Sequence, residues 1–117
     1  MPVSKYHAKK TVVDGIVFDS RKEAQRYNQL KVMERFGLIG NLKRQCKYEL
    51  IPAQYIDGKC VERAVTYVAD FEYDVLNDPK IPTGTHIVED VKGMRTKDYI
   101  IKRKLMLHLQ GIRITEV

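Results

Sequence analysis

The sequence predicts an α/β (α+β) fold in a single domain that covers residues 1–117. The length of 117 residues suits one domain, and the hydrophobic fraction of 44% is ordinary for a globular protein with its own core. Apolar residues alternate with a strand period in some segments and recur with a helical period in others. The resulting order is a hairpin, a helix, three strands, a second helix and a last strand.

The N-terminal part of the chain contains clear turn and cap signals. Residues 1–10 are basic and are expected to be flexible. Asp14-Gly15 lies between two β-branched runs, which predicts a β-hairpin. Ser20 precedes Glu23 by three residues, and this capping-box spacing predicts a helix that ends at Gly37. The apolar face of this helix is expected to contain Ala24, Tyr27, Leu30, Met33 and Phe36.

The rest of the chain is predicted to be strands and one further helix. Strands are expected at residues 48–51, 61–73, 86–92 and 112–117. Asp57-Gly58 indicates a turn, and residues 77–84 indicate a loop rich in Asn, Asp, Pro and Gly. Thr96 can cap a helix that runs to Gln110, before Gly111. The inner face of that helix is expected to contain Ile101, Leu105, His108 and Leu109.

Charge and composition restrict the possible partners. The net charge of +6 favours an anionic partner such as nucleic acid. No apolar run approaches the roughly 20 residues that span a bilayer, and no signal-peptide pattern follows the first lysines, so a cytoplasmic protein without membrane contact is expected. Cys46 and Cys60 are therefore expected to be free thiols, and the histidines lack zinc-ligand spacing.

Two acids and a lysine stand where apolar strands end. Asp90 and Lys92 are two residues apart, so they share one face of a strand, and Asp70 ends the apolar run 64–69. If the two strands are neighbours, these groups converge. Carboxylate and carbonyl oxygens are the ligands that Mg²⁺ prefers, so Asp70, Asp90 and the Val91 carbonyl are candidate metal ligands, with Mn²⁺ as a substitute. A surface ion pair across adjacent strands would explain the same pattern without catalysis.

Three further assignments concern residues around this group. Glu23 could bind the metal directly or through water, or could be only a helix cap. Lys92 is expected to stabilise charge or position water, because two nearby carboxylates favour its ammonium form over a free base. Glu89 faces away from Lys92 by alternation and is left out of the site, and Glu72 is expected to be solvated.

A family resemblance follows from three segments in order. Residues 14–24, 67–71 and 88–93 resemble a family of small phage and prophage proteins in the PD-(D/E)xK nuclease superfamily, which was catalogued without a function and is compared with Holliday-junction resolvases. The resemblance extends from Thr11 to Val117. It implies a restriction-endonuclease-like core, with a mixed four-stranded sheet flanked by helices. Ala69 stands where the superfamily motif has proline.

The resemblance also implies an activity and its residues. It implies Mg²⁺-dependent cleavage of DNA with Glu23, Asp70, Asp90 and Lys92 as catalytic residues. Branched DNA is the expected substrate, and a homodimer would match its two-fold character. The residues expected to contact the DNA backbone are Arg95, Lys97 and Lys102, with a second basic cluster at Lys43, Arg44 and Lys47. The alternatives are a general DNA nuclease, a nucleic-acid-binding protein without catalysis, and an interaction subunit whose charge is incidental.

Overall fold

The computed structural model describes residues 10–117, so the predicted flexible segment lies almost entirely outside the described residues. The elements in chain order are β1 (Thr11–Val13), β2 (Ile16–Phe18), α1 (Arg21–Arg35), β3 (Ile39–Ile51), β4 (Gln54–Ile56), β5 (Lys59–Glu62), β6 (Val65–Val75), β7 (His86–Asp90), α2 (Lys97–Gln110) and β8 (Thr115–Glu116). Neither helix is long and apolar enough to cross a membrane.

The central sheet is mixed and has four strands in the order β3-β6-β7-β8. β6 pairs antiparallel with both β3 and β7, whereas β7 and β8 are parallel. The prediction of an α+β fold with a mixed four-stranded sheet and two helices is confirmed. The N-terminal hairpin is also present as β1–β2, with positive φ at both Asp14 and Gly15 as its tight turn requires.

The two helices cover opposite faces of the sheet. Adjacent residues of a strand point to opposite faces, and on β7 Glu89 contacts Arg26 of α1 whereas Val88 packs with residues of α2. The core on the first face, here named the α1 core, contains Phe18, Ala24, Tyr27, Leu30, Ile39, Phe71, Tyr73 and Val75. The core on the second face, the α2 core, contains Leu50, Tyr67, Ala69, Val88, Tyr99, Met106 and Ile114.

β6 changes faces at Asp70. Phe71 belongs to the α1 core, but Ala69, which regular alternation would place on the same face, belongs to the α2 core. The partner strand is irregular at the same level. The register of β3 and β6 places Gln45 opposite Asp70, and Gln45 has φ +52°, which is uncommon for a non-glycine residue. Asp70 therefore lies where the two faces of the sheet meet.

Several strand boundaries differ from the predicted ones. β3 has 13 residues rather than four and includes the basic stretch 41–47. It is an edge strand whose charged side chains alternate with partly buried ones, and charge is common on strand edges. The predicted strand 61–73 is two strands, β5 and β6, and the Asp57-Gly58 turn joins β4 to β5. The last strand is only Thr115–Glu116.

Both helix caps are as predicted, but the inner face of α2 is not. The side chains of Ser20 and Thr96 accept hydrogen bonds from the backbone N–H groups of residues 23 and 99, each at 3.1 Å. The buried residues of α2 are Tyr99 and Met106. The predicted face was wrong for Ile101, His108 and Leu109, which are exposed, and only Leu105 of that set is partly buried. Phe36 of the first predicted face is also exposed.

His86 should give the folded protein a pH-dependent stability. Its Nδ1 lies 2.8 Å from Asp74 and its Nε2 lies 2.7 Å from Glu72, and these carboxylates raise the pKa of His86 above its usual value of 6.5. A raised pKa in the folded state stabilises the protein below the unfolded-state pKa, and this stabilisation is lost as the pH rises through the folded-state value. The pKa of Asp74 is lowered by hydrogen bonds from Asn41 and then His86, and the pKa of Glu72 is lowered by hydrogen bonds from Cys46, Tyr48 and His86 against the effect of burial. The contribution of His86 therefore also fades in strong acid.

The test compares the wild-type protein with His86→Gln by urea unfolding at pH 5.5 and pH 8.5. We expect the difference in unfolding free energy to be below about 1 kcal/mol, because His86 is half exposed, and to shrink at the higher pH. A difference that is the same at both pH values would exclude this role for His86.

Candidate metal and active site

The candidate site lies where β6 and β7 separate. Their pairing ends at Phe71 and Glu89, so Asp70 and Asp90 are the next residues on each strand. The backbone N–H of Val91 donates a hydrogen bond of 2.8 Å to Asp70 Oδ2, which holds the Asp70 carboxyl against the backbone of the residue next to Asp90. The structure therefore brings together two acids that are twenty positions apart in the chain.

Lys92 lies beside Asp90 on the α2 side of the sheet. Its Nζ is 3.2 Å from Asp90 Oδ1 and 3.8 Å from the centroid of the Tyr99 ring. Asp90 is only 4% exposed, and its other oxygen accepts a hydrogen bond from the Tyr67 hydroxyl. The ion pair and the cation–π contact hold the ammonium group of Lys92 in place. β7 ends at Asp90 rather than at Lys92 as predicted, but Lys92 still lies on the same side of the sheet as Asp90.

Glu23 approaches the same place from the first turn of α1. It is 7% exposed, and its Oε1 accepts a hydrogen bond of 3.2 Å from Gln45 Nε2 of β3. Burial raises the pKa of Glu23 above its usual value, and the negative charges of Asp19 and Asp90 add to this effect while Arg44 opposes it. The carboxyl of Glu23 is therefore directed across to the sheet, where it is electrostatically coupled to Asp90.

The three carboxyl groups destabilise one another when all are charged. The pKa of Asp70 is raised to about 8, with burial as the largest cause and with contributions from Asp90 and from the charge of Glu23, against the opposing effect of the Val91 N–H. A divalent cation would relieve this repulsion, and oxygen donors suit Mg²⁺. The residue types therefore fit the expected metal.

The number of direct protein ligands for such an ion is small. Within residues 10–117, no group of three His, Cys, Asp or Glu side chains is arranged to hold a metal ion. Mg²⁺ is commonly held by one or two carboxylates and keeps several waters. Asp70 and Asp90 can supply the carboxylates and Val91 a carbonyl oxygen, so Glu23 is better suited to act through a metal-bound water.

Comparison with known proteins identifies the family of the chain. Residues 3–116 match the family described as protein of unknown function (DUF1064). The chain belongs to the DUF1064 family. No curated protein and no solved structure matches it.

Two of the three basic residues expected to hold DNA are paired with acids in the DUF1064 chain. Arg95 contacts Glu116 through Nε at 2.9 Å and Nη2 at 2.8 Å, and Lys102 Nζ is 3.3 Å from Asp98. Lys97 is exposed at the start of α2 and forms no ion pair with the described residues. Of the three, Lys97 is therefore the most available to a phosphate.

The second predicted basic cluster is divided between solvent and the interior. Lys43 and Lys47 lie on the edge strand β3 of the DUF1064 chain. The guanidinium of Arg44, in contrast, lies 4.6 Å from the centroid of the Phe18 ring, and its Nε is buried without a hydrogen-bond partner among the described residues. Arg44 therefore packs against the α1 core and lowers the pKa of Glu23.

Sequence reasoning missed two polar groups of the DUF1064 chain near the site. Gln45, which orients Glu23, was not considered, because an ordinary glutamine in a basic stretch gives no signal of its backbone conformation. Glu72 was expected to be solvated, but it is 8% exposed and accepts a hydrogen bond from the Tyr48 hydroxyl. That prediction was wrong because β6 lies between β3 and β7, and Tyr48 of β3 and His86 of β7 both contact the Glu72 carboxyl.

Proposed function

We propose that this protein is a metal-dependent DNA endonuclease of the PD-(D/E)xK type, with branched DNA as its preferred substrate. The observation that carries the proposal is the convergence of Asp70, Asp90 and the ammonium of Lys92, with Glu23 beside them. One buried carboxylate, Asp90, and one partly buried carboxylate, Asp70, next to a fixed cation form an arrangement suited to phosphodiester hydrolysis, since it can hold a divalent ion and stabilise an anionic transition state.

Each residue of the site has a separate role in the proposed reaction. Asp70 and Asp90 would hold Mg²⁺ or Mn²⁺ together with the Val91 carbonyl oxygen. When bound, the ion supplies Lewis-acid activation of the phosphate and lowers the pKa of a bound water. Lys92 stabilises the charge that develops on the phosphate, or positions the attacking water. Glu23 would accept a hydrogen bond from such a water and help to orient it.

Several neighbours position these groups. The Val91 N–H fixes the Asp70 carboxyl, and the Tyr67 hydroxyl fixes the Asp90 carboxyl. Gln45 holds the carboxyl of Glu23. Asp90 has a second partner, since Lys92 Nζ lies 3.2 Å from its Oδ1. Each carboxylate oxygen carries more lone pairs than these contacts use, so the oxygens can still be directed at a metal or its waters.

A nucleic-acid-binding protein without catalysis is the main alternative. The net charge of +6 supports this alternative equally well. The buried acids favour the enzyme, because carboxylates facing a phosphate backbone weaken binding unless a cation lies between them. The preference for branched DNA and the homodimer that would present two such sites are the further parts of the proposal that rest on the resemblance alone.

The experiment incubates the protein with a four-way junction, a flap and a linear duplex, with Mg²⁺, with Mn²⁺ and with chelator. We expect metal-dependent cutting with preference for the branched substrates, and a loss of at least about 100-fold in Asp70→Asn, because a ligand charge is removed. Glu62→Gln, an exposed residue of the β4–β5 hairpin, is the matched control and should cut normally.

Two results would change the proposal. If no DNA is cut with either metal, or if Asp70→Asn cuts as fast as the wild-type protein, the nuclease assignment is wrong. If junction, flap and linear duplex are cut equally, the branch preference fails and a general nuclease remains.

A further inference from the structure

A basic groove lies next to the candidate site, between α2 and β8. It has a volume of about 1100 Å³. Its charged lining consists of Arg95, Arg103, Lys104, Arg113 and Glu116. Four cations against one carboxylate give the groove a formal charge of +3. Leu107 and Ile114 add apolar surface to its lining.

Part of this groove is held in a fixed arrangement. Glu116 accepts hydrogen bonds from Arg95 and from Arg103, the latter through Nη1 at 3.2 Å. The Tyr99 hydroxyl donates to Glu116 Oε2 at 2.7 Å. These contacts lower the pKa of Glu116 to about 2, with the hydrogen bond from Arg95 as the largest cause, so it stays ionised. Two guanidinium groups are thereby positioned with further N–H donors that Glu116 does not use.

The other two cations are available to a ligand. Lys104 and Arg113 are exposed and form no ion pair with any residue in the range 10–117. Their side chains border the groove on the α2 side and on the segment that leads into β8, respectively. An anionic partner can therefore reach them without displacing an internal contact.

The groove adjoins the candidate active site. Glu116 is the β8 partner of Asp90 in the parallel pairing of β7 and β8. The Tyr99 ring contacts Lys92 and also lies 5.9 Å from the guanidinium carbon of Arg103. A single aromatic side chain therefore separates the candidate catalytic lysine from the basic groove, and a chain of phosphates could pass from one to the other.

We propose that this groove binds the sugar–phosphate backbone of the DNA strand that leads away from the scissile phosphate. Guanidinium forks and ammonium groups suit successive phosphates, and the apolar lining suits the sugars between them. The inference rests on the proposed function for its substrate, but it assigns the binding surface to Arg103, Lys104 and Arg113. Contacts of this kind carry little sequence preference.

The test measures binding separately from cutting. Fluorescence anisotropy with labelled duplex and junction DNA, in chelator, gives the dissociation constant of the full chain between 50 and 300 mM salt. The variant Lys104→Gln/Arg113→Gln should bind at least about ten-fold more weakly near 0.1 M salt. The slope of log K against log salt should become shallower by about 2, because two phosphate contacts are lost.

The matched control removes the same charge elsewhere. Lys59→Gln/Arg63→Gln, two exposed residues at the β4–β5 hairpin, should change the affinity by less than about two-fold, because a distant surface charge is screened at this salt concentration. Equal affinity and slope in the two double variants would overturn the groove assignment while leaving the nuclease proposal intact. A wild-type chain that cuts no DNA but shows the predicted loss in the groove variant would support the groove and reject the nuclease. No DNA binding by the wild-type chain even at 50 mM salt would overturn both.

Discussion

Replacing Lys92 by methionine should lower metal-dependent DNA cleavage by about 100- to 1000-fold while DNA binding persists. The ammonium of Lys92 lies 3.2 Å from Asp90 and is held over the Tyr99 ring, so it is a fixed positive charge beside the candidate metal ligands. Removing one preorganised group that stabilises transition-state charge typically costs two to three orders of magnitude in rate. Methionine retains the apolar contact with Tyr99, so the fold should be preserved.

The measurement is the single-turnover cutting rate with Mg²⁺, together with anisotropy binding and circular dichroism on the same preparations. Lys31→Met is the matched control, since Lys31 forms a similar ion pair with Glu34 at 3.0 Å on α1, outside the site. It should cut at the wild-type rate. If Lys92→Met cuts within about two-fold of the wild-type rate, Lys92 takes no part in the reaction. If binding falls as much as cutting, Lys92 holds DNA and the assigned role is wrong.

The sequence was sufficient for those parts of the site that depend on local periodicity. The placement of Asp90 and Lys92 on one side of the sheet was predicted from strand alternation, although β7 itself ends at Asp90. The caps at Ser20 and Thr96 follow from hydrogen bonds between residues three apart in the chain. Both features depend on residues that are two or three positions apart in the chain, so a single sequence is sufficient to predict them.

Features that depend on tertiary contacts were missed. The face change of β6 at Asp70 coincides with the irregular backbone of Gln45 in β3, and nothing in either segment signals it. The inner face of α2 was wrong because the helix packs through Tyr99 and Met106, which place Ile101 and His108 on the opposite side, roughly 180–200° around the axis. Apolar residues on both sides of α2 leave its orientation undetermined by pattern alone.

For Glu89, the sequence predicted the correct strand face but not the residues that surround the side chain. It faces away from Lys92, but it is completely buried. Arg26 Nη2 lies 2.5 Å from Glu89 Oε2, Arg26 Nε lies 2.8 Å from Oε1, and the Tyr73 hydroxyl donates to Oε2. Arg26 is 63 residues away in the chain, so the pair is visible only in the folded protein. The Arg26–Glu89 pair joins α1 to β7 on the face of the sheet opposite to the Asp90 side chain.

Replacing Arg26 by methionine should therefore destabilise the protein by about 2–4 kcal/mol. The substitution leaves the carboxylate of Glu89 buried with only the Tyr73 hydroxyl as a partner, and breaking a buried ion pair on one side is far more costly than losing a surface pair. Removing one partner of a buried ion pair usually costs about 3–5 kcal/mol. We expect a somewhat smaller loss here because the side chain of Arg26 is 21% exposed, so some water can reach the position that it leaves. Urea unfolding at pH 7, followed by circular dichroism, measures the change.

Two further variants separate the buried charge from a general effect of substituting arginine on α1. Arg35→Met, at an exposed position of the same helix, should change the unfolding free energy by less than about 0.5 kcal/mol. Arg26→Met/Glu89→Gln should recover part of the loss, because a neutral amide costs less to bury than an unpaired carboxylate and can still accept a hydrogen bond from Tyr73. A double variant less stable than Arg26→Met would show that the loss comes from the packing of the arginine side chain and not from the unpaired carboxylate of Glu89.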